Sequence, residues 1–250
     1  MMEQDIVPNI ITYSILINGY CKKKQIDKAR HLFQDIQHKG LIPDVITYNI
    51  MLQGLFLSGH PATAIELFNK MQEKGQAPNI YTYRILLHGM CKNSECSDAL
   101  ALFRSLESKE LMEDVGLYSI LIDGYSKCGK HDLAMDLFDE LRVKGLKPNV
   151  RTYTVMISVL CQQGLLGKAK DLLRKMEENG CLPDSVTYNV IVQEFLKQKA
   201  FQEAEILLEE MISRGFSTDS TTFEMLLNQI PSTGQDSPMQ TIIQKLINIK

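Results

Sequence analysis

The sequence predicts an all-α fold, a right-handed superhelical solenoid of antiparallel helix-turn-helix repeats, and three observations predict it. One pattern recurs with a stride of 35 residues, from ITYSILINGYC at Ile10 to SVTYNVIVQEF at Ser185. Each copy holds two runs of helical spacing separated by a breaker. One alanine recurs at the same point of each copy, as Ala29, Ala64, Ala99, Ala134, Ala169 and Ala204. A period of this length implies a one-dimensional stack in which each unit buries surface against its neighbours, rather than one or two globular domains.

The elements follow in order. Residues 1–9 contain DIVPN, the tail of a preceding repeat, so the chain reads as part of a longer array. Six repeats occupy 10–44, 45–79, 80–114, 115–149, 150–184 and 185–219, and 220–250 reads as a partial repeat with a C-terminal capping helix. The fourth copy shows the internal logic. Tyr118, Leu121, Ile122 and Tyr125 fall at i, i+3, i+4 and i+7, one buried stripe of a helix A. Gly129 and Lys130 interrupt it, and Ala134, Leu137, Phe138 and Leu141 repeat the spacing as helix B until Gly145 and Pro148. The breaker recurs as Gly59, Gly129 and Gly164, where a helix end favours a residue that tolerates positive φ.

The alanine methyl lets helices approach closely, while Tyr13, Tyr48, Tyr83, Tyr118, Tyr153, Tyr188 and Phe223 supply recurring bulk. A helix pair with two apolar stripes buries the second on the next pair, which puts helix A on the inner, concave surface. A seventh helix A runs from Ser220 to Ile230 and is stopped by Pro231. A last amphipathic segment, with Met239, Ile242, Ile243, Leu246 and Ile247 on one face, opens at Ser237 and Pro238.

Composition narrows the function classes. The net charge of −3 gives no global attraction to polyanions, so such binding needs basic residues gathered on one face. No run approaches the roughly 18 apolar residues of a membrane span, and the first nine residues do not resemble a targeting peptide. Cys21, Cys91 and Cys161 share one point of the repeat, filled elsewhere by Phe56, Ser126 and Leu196, and read as small core residues rather than metal or disulfide partners. GYSKCGK at 124–130 fits most of a phosphate-binding loop, but His131 stands where Ser or Thr is required and no strand precedes it. His31, His38, His60, His88 and His131 share no motif. Neither a catalytic constellation nor a cofactor or metal site is expected.

Copies such as VITYNIMLQGLFLSGHPATAIELFNKMQEKGQAPN, residues 45–79, resemble the pentatricopeptide repeat consensus nearly position by position, and the resemblance runs from residue 5 to about 230. The Trp-x-x-Leu-Gly-x-x-Tyr signature of tetratricopeptide repeats is absent, and the chain has no Trp. Unbroken 35-residue copies look like the P-type plant members, most similar to fertility-restorer-like proteins. The resemblance implies sequence-selective binding of single-stranded RNA in organellar RNA metabolism, in mitochondria first and chloroplasts second, with recruited RNA-processing proteins as further partners and no membrane. The alternatives are a protein-binding helical scaffold and a truncated family member that binds nothing.

In that family the fifth and last residues of a repeat read the base edge, and the second residue sandwiches the base. Carried over, the reading pairs are Ser14 with Asp44, Asn49 with Asn79, Arg84 with Asp114, Ser119 with Asn149, Thr154 with Asp184, and Asn189 with Asp219. A hydroxyl with Asp implies guanine, a hydroxyl with Asn adenine, Asn with Asp uracil, and Asn with Asn cytosine or uracil. The implied site is 5′-G-(C/U)-N-A-G-U-3′. The third copy departs through Arg84, Glu110 and Glu113, and Arg84 either pairs with Asp114 and leaves its base unread or grips a phosphate. The sandwiching residues are Ile11, Ile46, Tyr81, Arg151 and Val186, and Gly116 offers no side chain there.

Lys22, Lys92, Lys127 and Lys197 recur near the end of helix A, where Leu57 and Gln162 stand in the other copies. They form a stripe of implied phosphate contacts, the alternative being a solvated helix end where the macrodipole favours lysine. The last residues also make good helix N-caps, so capping and base reading coexist as readings of Asp44, Asn79, Asn149 and Asp184. Helix stability gives no reason for amides and hydroxyls at the fifth position. An affinity on the order of micromolar is expected.

Overall fold

In the computed structural model of the chain, residues 8–106 and 114–228 are described. They form thirteen helices: α1 Ile10–Lys22, α2 Ile26–His38, α3 Val45–Leu57, α4 Pro61–Glu73, α5 Ile80–Lys92, α6 Cys96–Ser105, α7 Val115–Lys127, α8 His131–Val143, α9 Val150–Gln162, α10 Leu166–Glu178, α11 Ser185–Lys197, α12 Phe201–Ser213 and α13 Ser220–Leu227. Odd-numbered helices are the A helices and even-numbered ones the B helices. The chain divides into two compact units, 1–129 with α1–α7 and 130–250 with α8–α13. The C-terminal capping segment, Pro231, Glu110, Glu113 and the first seven residues lie outside the described residues.

Local chemistry sets each boundary. Every A helix starts on an Asp or Asn, namely Asn9, Asp44, Asn79, Asp114, Asn149, Asp184 and Asp219, whose side-chain oxygen accepts from the backbone N–H three residues on. That bond satisfies one of the orphan donors of the first turn. B helices make no side-chain cap bond and follow their A partners through a three-residue turn. One turn residue has positive φ in all six copies: Lys24, Gly59, Ser94, Gly129, Gly164 and Lys199. Glycine holds that conformation without strain in three of them, and a side chain is forced into it in the other three. GYSKCGK is the end of α7 and this turn.

Stacking uses the same positions repeatedly. In the first unit α1 packs on α3, α3 on α5 and α5 on α7, and in the second α9 packs on α11 and α11 on α13. All six stride alanines are fully buried. A phenylalanine of helix B meets the tyrosine of the following helix A edge-on: Phe33 with Tyr48 at 5.3 Å between ring centroids, Phe68 with Tyr83 at 6.1 Å, Phe103 with Tyr118 at 4.9 Å, and Phe138 with Tyr153 at 5.8 Å. Each contributes about 0.5–1.5 kcal/mol beyond its buried area. Where the stride gives Leu173 instead, Tyr188 leans on Phe216 at 6.0 Å.

Glycine inside helix A costs about 1 kcal/mol relative to alanine, and close approach accounts for it. A Cβ on Gly54 would overlap Cys21, one on Gly89 the Phe56 ring, and one on Gly124 the Cys91 side chain. The twelfth residue of one copy thus seats on the tenth of the next. Cys21, Cys91 and Cys161 are buried, unbridged core residues. Burial pushes the Cys21 thiol up to about 11 and the Cys161 thiol up to about 12.

Candidate nucleic-acid interface

The first repeat gathers four of its expected residues around one cleft. Ile11 and Ile46, 64% and 65% exposed, stand on adjacent helices α1 and α3. Ser14 and Asp44 line a cavity of about 240 Å³ with them, together with Ile15, Asn18 and Ile50. Two apolar walls and a polar floor make a slot for a flat, polar-edged group.

The floor is one hydrogen-bonded chain. Asp44 Oδ1 accepts from the Thr47 backbone N–H at 2.8 Å and from Thr47 Oγ1 at 2.6 Å. Thr47 Oγ1 lies 2.8 Å from Ser14 Oγ, which is 2.8 Å from the Ile10 carbonyl oxygen. The fifth residue therefore reaches the last residue of its repeat through a threonine of the next copy. Two hydroxyl protons serve three short oxygen contacts, so the Ser14 hydroxyl can donate in either direction. The fifth repeat reproduces this arrangement. Thr154 Oγ1 is 2.8 Å from Thr187 Oγ1, which donates to Asp184 Oδ1 at 3.0 Å, and Arg151 and Val186 are exposed above it.

In the second repeat Asn79 and Thr82 form a reciprocal capping box, so the Asn79 N–H donates to Thr82 Oγ1 at 3.2 Å. The Oδ1 of Asn49 is left buried without a partner, which costs about 1–3 kcal/mol. In the sixth repeat the equivalent donor is used: Asn189 Oδ1 accepts the Asp219 N–H at 2.9 Å, and its Nδ2 donates to the Ser185 carbonyl at 2.7 Å. Gln193 Nε2 approaches both Asp219 oxygens at 3.2 and 3.3 Å. Both reading residues of this copy are hydrogen-bonded within the protein. In the fourth repeat Ser119 Oγ donates to the Val115 carbonyl at 2.7 Å and Asn149 caps α9, one residue in each unit.

The third repeat is filled by its own side chain. Asp114 Oδ1 caps α7, and Oδ2 receives Arg84 Nη2 at 2.7 Å. The guanidinium lies 5.6 Å from the Tyr81 ring centroid, within cation–π range. A Cβ on Gly116 would stand 2.6 Å from Asp114 Oδ1 and 2.9 Å from Arg84 Nη2. The flat cation thus sits between Tyr81 and Gly116, the two sandwiching positions. Of the alternatives for Arg84, this geometry is the pair with Asp114.

The four lysines are not equivalent. Lys127 Nζ bonds Asp123 Oδ2 at 3.0 Å, and Lys197 Nζ bonds Glu194 Oε1 at 2.7 Å, both acids being about 90% buried. Lys22 and Lys92 are exposed and carry no ion pair among the described residues. Of the four stride lysines, the two without an ion pair both lie in the first unit. One lining position escaped the motif-based reading. The ninth residue of helix A, Asn18 in the first cleft, is Gln53, His88, Asp123, Ser158 and Gln193 in the other copies. Its signal was a polar residue at every stride, four positions after the polar fifth residue.

The model of the PPR repeat family matches residues 8–57, 43–92, 113–162, 155–197 and 183–230, and a second PPR repeat model matches 81–111. No curated protein matches the chain. The crystal structure of the pentatricopeptide repeat protein PPR10 from maize is 23% identical, with a TM-score of 0.68 over 98% of this chain and 34% of that one. PPR10 in complex with an 18-nt psaJ RNA element is 18% identical, with a TM-score of 0.63 over 99% and 39%. Arabidopsis thaliana nuclear protein-only RNase P 2 is 15% identical, with a TM-score of 0.53 over 75% and 42%. The chain spans well under half the length of each, and the likeness is one of fold.

Proposed function

We propose that this chain, which belongs to the pentatricopeptide (PPR) repeat family, is a sequence-selective binder of single-stranded RNA that holds one base per repeat. Family membership and the fold it shares with PPR10, a protein solved on an RNA element, support RNA as the ligand. The observation that carries the reading is the first-repeat cleft, where Ile11 and Ile46 wall a floor made by Ser14 and Asp44.

The caps supply a chemical basis for the code. One side-chain oxygen of each last residue is committed to its helix, so reading falls to the other terminal atom, which Arg84 occupies in Asp114 and Gln193 must release in Asp219. In Asp44 and Asp184 that atom is an acceptor suited to the ring N–H of guanine or uracil. In Asn79 it is an N–H donor suited to the ring nitrogen of cytosine, and Asn149 is assigned adenine by the same logic. A short hydroxyl at the fifth position leaves room for a purine, and the longer Asn49 and Asn189 reach a pyrimidine. The proposed site is 5′-G-(C/U)-N-A-G-U-3′, with the third base unread because Arg84 occupies Asp114 Oδ2.

Ile11, Ile46, Tyr81, Arg151 and Val186 stack on the bases. Lys22 and Lys92 are the stronger phosphate contacts, ahead of the ion-paired Lys127 and Lys197. The P-type subclass, a fertility-restorer-like role in mitochondria, and recruitment of processing proteins to the bound transcript belong to the same reading. Fluorescence anisotropy with a labelled hexamer tests it. Changing the first G to A should weaken binding by about 5- to 150-fold, the discrimination of one good base contact. Equal affinity for both hexamers contradicts it.

A further inference from the structure

Cys96 and Cys128 carry an inference that lies outside RNA binding. Cys96 opens α6 and is 2% exposed, whereas Cys128 ends α7 and is exposed to solvent. Their sulfurs are 2.8 Å apart, closer than two sulfurs sit in ordinary non-bonded contact, although both are reduced thiols. A disulfide needs about 2.05 Å, so a shift of under 1 Å closes the bond. The backbone around the pair is already held, since Tyr125 Oη donates to the Cys96 carbonyl at 3.1 Å and Cys96 Sγ is 3.7 Å from the Gly124 carbonyl.

We propose that Cys96 and Cys128 form a reversible disulfide in the folded protein, driven by a small-molecule disulfide such as oxidised glutathione, which staples the third repeat to the fourth. The accessible sulfur reacts first. Cys128 attacks one sulfur of the oxidant, forms a mixed disulfide and releases one glutathione thiol, which takes the Cys128 proton. Cys96 then attacks the Cys128 sulfur, and the second glutathione leaves as a thiol with the Cys96 proton. Two protein thiols lose two electrons, and one glutathione disulfide becomes two thiols. Exposure orders the steps, because a tripeptide-sized oxidant reaches Cys128 and not Cys96.

Cys91 is the neighbouring thiol that this order excludes. It seats beneath Gly124, and burial together with the adjacent Cys96 raises its thiol well above the ordinary range. The staple would join the start of α6, just beyond Lys92, to the end of α7 at Lys127. Those two lysines line one cavity of about 270 Å³ with His88 and Asp123, so the bond fixes the spacing of that wall.

The test uses the whole folded chain with no RNA present, so its outcome is independent of the RNA reading. Reduced protein is incubated with oxidised glutathione, its remaining thiols are blocked after unfolding, and it is digested without reduction for mass spectrometry. The expected product has lost two hydrogens, is blocked at four of its six cysteines, and yields the Cys96 peptide joined to the Cys128 peptide. Cys128→Ser removes the bridge at a solvent-exposed site that leaves packing intact. Cys96→Ala should leave a persistent glutathione adduct on Cys128. A wild-type protein that stops at that adduct, or a bridge through Cys91, overturns the proposal.

Discussion

Replacing Asp184 by asparagine separates the capping role of the last residue from its reading role. Asp184 Oδ1 accepts from the Thr187 N–H at 2.9 Å and from Thr187 Oγ1 at 3.0 Å, and Thr187 is fully buried. Asp184→Ala removes a cap worth about 1 kcal/mol, while the buried Thr187 hydroxyl turns to Thr154 Oγ1, 2.8 Å away. Asp184→Asn keeps an Oδ1 that accepts both bonds, so its stability should stay within about 0.5 kcal/mol of wild type. The reading atom nevertheless changes from an acceptor to a donor, which moves the fifth base from guanine to adenine. A discrimination of about 1–3 kcal/mol corresponds to roughly 5- to 150-fold in Kd. Thermal melts and anisotropy on hexamers differing only at that base give both numbers. If Asp184→Asn melts like wild type and still prefers guanine, the last residue is a cap and nothing more.

Four further outcomes follow from named contacts. Arg84→Ser should free Asp114 Oδ2 and give the third base a guanine preference, at a stability cost of no more than about 1 kcal/mol for a partly exposed ion pair; base substitution at that position checks it. Lys24→Gly, Ser94→Gly and Lys199→Gly should each stabilise the fold by up to about 1 kcal/mol, since they relieve left-handed strain, and denaturant midpoints measure it. Ala169→Leu should destabilise by about 1–3 kcal/mol through overpacking at a fully buried site, read from the same midpoints. Cys21 and Cys161 have raised thiols when folded, so the folded state holds their protons more tightly. Their contribution is present below the ordinary thiol range and is lost as pH rises toward 11 to 12, which predicts alkaline destabilisation that Cys21→Ala reduces in melts from pH 8 to 11.

Periodicity made legible whatever depends on a residue's place within its own copy. The Asp and Asn caps, the alanines and the Gly59, Gly129 and Gly164 turns all recur at fixed phase, so composition at one stride position stood for geometry. Contacts that cross from one copy to the next were harder to read. The Ser14–Thr47–Asp44 chain joins residues 33 apart, and its threonine looks in sequence like an ordinary first-turn residue. Ion pairing of Lys127 and Lys197 lowers the charge that a lysine stride promises, because Asp123 and Glu194 occupy only those copies. Cys96 and Cys128 lie off the stride altogether, so no count of recurring positions could bring their sulfurs together.

Selection from a random single-stranded RNA pool at moderate salt, repeated with Asn189→Ser, tests one-base-per-repeat reading most directly. The wild-type chain is predicted to enrich 5′-G-(C/U)-N-A-G-U-3′, and the variant, with a hydroxyl beside Asp219, to change only the final base from uracil to guanine. Identical pools from the two proteins, or a flat pool retained only at low salt, would contradict sequence reading by these repeats.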